Sequence, residues 1–99
     1  MALETTRFDI LEHLKSPADH VAYIEAVLED GDPSLIAAAL GDIARARGVT
    51  EFARETGLSR ETIYKAFKPG GNPTLETISK AMKALGLRLT AAAVPREAA

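Results

Sequence analysis

The 99 residues predict an all-α fold organised around a helix-turn-helix, and three observations predict it. Apolar residues recur at helical spacing in successive short segments. Most of these segments open on a hydroxyl or carboxylate residue and close on a glycine. Between Gly48 and Phe67, two segments are separated by only a few residues around Gly57-Leu58-Ser59, the helix-turn-helix pattern.

In chain order, Phe8, Leu11 and Leu14 share a face in a first segment too short to hold a helix alone. Ser16-Pro17-Ala18-Asp19 then supplies a hydroxyl cap, a proline at the first helical position and an acid at the third. The helix it opens is expected to bury Val21, Ile24, Val27 and Leu28 and to stop at Gly31. Asp32-Pro33 is the next start signal. Leu35, Ile36, Ala39, Leu40, Ile43 and Ala44 follow at helical spacing, and the helix ends near Arg47-Gly48. Its Ala37-Ala38-Ala39 run permits close helix packing.

The next helix centres on Phe52, Ala53 and Arg54 and ends at Gly57, a residue free to take the left-handed conformation. Ala53 is small where the following helix must cross, and Leu58 plugs the corner. Ser59 offers its hydroxyl to the next helix, whose Ile63 and Phe67 turn inward. Lys68-Pro69-Gly70-Gly71-Asn72-Pro73 is a loop with accessible amides, but it lacks the spacing and the Lys-Ser/Thr pair of a nucleotide-phosphate site. Thr74 caps a last helix with Leu75, Ile78, Met82 and Leu85 as its buried stripe, Lys80 and Lys83 outside, and Gly86 as its stop. Leu87-Arg88-Leu89-Thr90-Ala91 alternates apolar and polar, which fits either a short C-terminal β-strand seeking a partner edge or a frayed tail.

Composition narrows the function. This length suits one core and no large enclosed cleft. The absence of cysteine removes disulfides, thiol chemistry and thiolate metal sites. There is neither a run of eighteen apolar residues nor a signal-peptide start, so a cytoplasmic protein without membrane contact is expected. The net charge of −2 conceals an asymmetry. Residues 1–42 hold nine acids against two bases, a charge of −7, and the remainder holds ten bases against five acids, a charge of +5. The second half therefore suits a polyanion and the first a basic partner. His13 and His20 read as surface histidines with no metal partners nearby. No catalytic frame, metal spacing or cofactor motif is present, so the chain is not expected to be an enzyme.

The outward face of the helix after Ser59 carries residue types that read nucleic acid. The full motif, the preceding GDPSLIAAALGDIARARG, the following GNPTLETI and the ending KALGLRL together resemble the probable addiction-module antidote proteins. These are small antitoxins with an Xre-type, lambda-repressor-like helix-turn-helix, related to HigA. The likeness runs from about Phe8 to Leu89. It implies an acidic helical extension over residues 1–31, a DNA-binding domain over 32–91 and a disordered tail over 92–99.

The resemblance further implies a cytoplasmic antitoxin that neutralises a small basic toxin like those of the RelE/ParE group and represses its own operon as a homodimer. The alternative it leaves open is a stand-alone Xre-type regulator with no toxin. Arg60 is the candidate for base readout, bidentate to guanine, with Glu61 accepting from cytosine or orienting Arg60. Thr62 belongs to the same set. Ser59, Tyr64, Lys65 and Lys68, continued by the Gly70 and Gly71 amides, would contact phosphate. Read as plain surface, the same face would instead carry a Glu61–Lys65 ion pair. Many Xre domains begin the first motif helix with a glutamine. Val49 stands there in this chain, which shifts phosphate anchoring to Thr50 or backbone amides. Toxin contact falls to the acidic region, with Glu25, Glu29, Asp30 and Asp32 as candidates.

Overall fold

The chain is described here from a computed structural model, over residues 11–95. Five helices are labelled in order: α1 Pro17–Asp30, α2 Pro33–Arg47, α3 Val49–Thr56, α4 Arg60–Ala66 and α5 Leu75–Ala84. Residues 11–13 are helical as well. Among the described residues there is no strand, and no helix is long and apolar enough to cross a membrane.

Each start signal acts through a short local bond. The Ser16 hydroxyl accepts from the Asp19 amide at 3.2 Å, while the Asp19 carboxylate accepts from the Ser16 and Lys15 amides at 3.1 Å each. These donors, the Lys15 amide first and then the Ser16 hydroxyl and amide, hold the Asp19 carboxyl below its usual 3.8. A carboxyl depressed on folding contributes stability that is complete above the unfolded value and is lost as pH falls through the folded one. Thermal melts of the wild type and Asp19→Asn should therefore differ near neutral pH and converge as the pH falls below 3.8. Asp32, Ser59 and Thr74 cap α2, α4 and α5 in the same way, accepting from the amides of Ser34, Thr62 and Thr77.

The core gathers on α2. Its Ala39, Leu40 and Ile43 are fully buried, and Ile24 of α1, Phe52 of α3, Ile63 of α4, Phe67 and Met82 of α5 close around them. The Phe52 and Phe67 rings lie 6.5 Å apart at 57°, a tilted pair that joins the two ends of the α3–α4 unit. Gly41 decides how near α4 comes, because a Cβ there would collide with the Phe67 carbonyl. The missing side chain of Gly41 is what lets this backbone sit against the centre of α2.

The acidic helix α1 packs onto the rest of the domain. Ile24 is fully buried, and the Tyr23 hydroxyl donates to the buried Asp42 carboxylate of α2 at 2.9 Å, where Arg45 also donates at 3.1 Å. His20 departs from expectation. It is 5 % exposed rather than on the surface, with Nε2 bonded to the Leu14 carbonyl at 3.0 Å and Nδ1 accepting from Arg47 Nε at 3.1 Å. That pairing places the imidazole proton on Nε2. Arg47 also reaches Glu55 of α3 at 3.1 Å, so one side chain ties three helices together.

Three apolar expectations fail. Leu28, Leu35 and Leu75 are 37 %, 50 % and 70 % exposed, since they sit at the margins of stripes whose centres alone meet another helix. The alternating segment after Gly86 forms no strand, because the chain offers it no edge to pair with. Within the expected tail, residues 92–95 are exposed and irregular. Residues 96–99 and the Phe8 position lie outside the described residues.

Candidate nucleic-acid interface

The site is built by α3, a three-residue turn and α4. Gly57 takes φ 78° and ends α3 with its amide on the Ala53 carbonyl. Thr56, which the sequence reading passed over, completes the corner. Its buried hydroxyl donates to the Phe52 carbonyl at 2.8 Å and accepts from the Leu58 amide at 3.1 Å. A hydroxyl residue one place before the terminating glycine was the available signal. Thr56→Val should cost about 1–2 kcal/mol, read as a lower melting temperature, because the Leu58 amide loses its acceptor.

Ser59 then starts α4 by accepting from the Thr62 amide at 3.0 Å and donating to the Thr62 hydroxyl at 2.9 Å. With Ile63 and Phe67 locked in the core, the opposite face of α4 must point outward. Arg60, Glu61, Tyr64 and Lys65 are all exposed on α4, as are Ser59 before it, Lys68 after it and Thr50 on α3. Thr62 is half-buried. It lines a shallow hollow with Lys65, Ala66 and Asn72, which adds Asn72 from the following loop to the site.

Arg60 is steadied by the Tyr64 hydroxyl at 3.5 Å, one turn on, and not by Glu61. Glu61 and Lys65, both exposed, form no ion pair with each other. Of the other bases, Arg45, Arg47, Arg54 and Lys80 pair with Asp42, Glu55, Glu51 and Glu76. Arg60, Lys65 and Lys68 make no ion pair among the described residues, nor do Lys15, Lys83 and Arg88 elsewhere, so three of the available cations lie on α4 or just after it.

Two expectations about the backbone need correction. The Gly70 amide donates to the Ser34 hydroxyl at 3.2 Å and the Gly71 amide to the Lys68 carbonyl at 2.8 Å, so both are already used and neither extends the row of donors. Val49 is half-buried and packs on the core, which explains an apolar residue there. Of the five helices, α3 is the one without a side-chain cap, so its first amides stay open beside the exposed Thr50.

The acidic candidates divide. Glu25, Glu29 and Asp30 are exposed on α1, whereas Asp32 is occupied as the cap of α2, accepting from the Ser34 amide at 2.9 Å. Glu25 and Glu29, one turn apart, share a groove that Asp30 and Asp32 do not line.

Comparison with known proteins gives this arrangement a family. A profile described as "Probable addiction module antidote protein" matches residues 4–93. A protein of Haemophilus influenzae, described only as uncharacterized, is 48 % identical over 81 residues, covering 82 % of this chain and 84 % of its own length. No solved structure matches the chain at a significant level. With nearly its whole length inside the profile, the chain belongs to the family of probable addiction module antidote proteins.

Proposed function

We propose that this protein is the antitoxin of a two-component module: it neutralises a small basic toxin of RelE/ParE type and, as a homodimer, represses its own operon by sequence-specific binding to duplex DNA. It acts by binding and not by catalysis, and it works in the cytoplasm. The antidote family supports the toxin partner. The observation that carries the DNA arm is the unpaired cationic face of α4, held outward by Ile63 and Phe67 and begun by a capped three-residue turn. That geometry supports a helix-turn-helix reading, and the resemblance of the sequence favours the Xre type.

On this reading Arg60 reads guanine, Glu61 a neighbouring cytosine, and Tyr64, Lys65, Lys68 and Ser59 hold phosphates. Thr50 and the open amides of α3 hold another, in place of the glutamine that Val49 replaces. Two copies would span half-sites about 34 Å apart.

Co-expression with the product of the adjacent small reading frame, followed by size-exclusion chromatography with light scattering, tests the central reading. A complex of defined mass and relief of growth arrest are expected. A chain that elutes alone beside a harmless neighbour would make it a plain regulator.

A further inference from the structure

The C-terminal half of α1 and the segment leaving α5 flank a groove of about 700 Å³, lined by Leu28, Met82, Leu87 and Leu89 together with Glu25 and Glu29. Leu28 and Leu89 are 37 % and 41 % exposed, large apolar side chains left partly in water. Glu25 and Glu29 are exposed and make no ion pair among the described residues. The Leu87 amide donates to the Met82 carbonyl at 2.8 Å, and beyond it the backbone of residues 88–92 makes no hydrogen bond within the described chain. An apolar hollow, an acidic wall and a run of open backbone groups with alternating apolar side chains thus meet in one place.

We infer that this groove receives an edge strand of the basic toxin, which adds to residues 88–92 as a β-strand. This rests on the antitoxin reading above and assigns its docking surface. Main-chain bonds to residues 88–92 supply the register, apolar side chains of the strand enter between Leu28 and Leu89, and its lysines or arginines meet Glu25 and Glu29. The charge selects this occupant over a second copy. Pairing two copies through the same segment would set Glu25 and Glu29 of each against those of the other, with Arg88 as the one base in the groove. The irregular course of residues 88–92 in the isolated chain follows, since the strand is completed only by the partner.

The test uses the full-length chain and the purified product of the adjacent reading frame, with affinity by titration calorimetry and amide hydrogen exchange on the free chain and the complex. The double variant E25K/E29K and the single variant L89D should each weaken the complex by at least about tenfold. In the wild-type complex, exchange at residues 88–92 should slow. Unchanged exchange there in a formed complex, or wild-type affinity of E25K/E29K and L89D, overturns the groove assignment and leaves the antitoxin reading standing. Failure of the wild type to form any complex instead removes the antitoxin reading and this inference with it. Protection of residues 88–92 in the free chain that rises with its concentration would give the groove to a second copy and overturn the proposal. Exchange is read on the wild type, so the result holds even where a variant folds poorly.

Discussion

Phe52→Ala is expected to destabilise the protein by about 3–5 kcal/mol, the cost of deleting a fully enclosed ring and leaving a cavity. Phe52 is 0 % exposed and packs on Phe67, so its loss opens the junction where α3 and α4 meet α2. Small domains have roughly 5–15 kcal/mol of total stability, and each 1 kcal/mol moves the midpoint about 4–8 °C at this size. Thermal unfolding followed by circular dichroism should therefore show a midpoint at least roughly 12 °C lower. Leu75→Ala makes the contrast: the residue sits on an apolar stripe but is 70 % exposed, and its loss should stay within about 0.5 kcal/mol. Similar melts for the two variants would contradict the packing described.

Arg60→Ala should erase the preference for the operator over scrambled DNA while leaving the fold intact. A bidentate arginine–guanine contact discriminates by about 1–3 kcal/mol, or roughly five- to 150-fold. The Arg60 side chain lies outside the core and, among the described residues, bonds only the Tyr64 hydroxyl, at 3.5 Å, so the melting temperature should hardly move. Fluorescence anisotropy with duplexes from upstream of the gene, against a scrambled sequence, measures the ratio. Lys65→Ala and Lys68→Ala should instead weaken binding to both duplexes alike and reduce the salt slope by about one each. Wild-type isotherms for Arg60→Ala on both sequences would remove it from the readout.

Much of the fold was legible because its signals are local. Ser16, Asp32, Ser59 and Thr74 cap helices through bonds to amides two or three residues on, a reach that sequence displays directly. Gly57 ended its helix for the same reason, since only its own backbone angle was at stake. The outward face of α4 followed from Ile63 and Phe67, whose four-residue spacing marks the buried side of a helix whatever it packs against.

The sequence by itself determined where helices begin and end, which side of each faces the core, and which residues Arg60 to Lys68 present to solvent. Those properties depend on neighbours within one or two turns. The tertiary structure alone decided the rest. It buried His20 by bringing Leu14 and Arg47 to its two nitrogens, and it made Gly41 the point where α4 approaches α2. It closed off the Gly70 amide with Ser34, 36 residues away. It also exposed Leu28 beside Leu89, creating a groove from segments far apart in the chain. A helical period states that a side chain turns inward, but how much of its stripe another helix covers depends on where the whole chain has placed that helix.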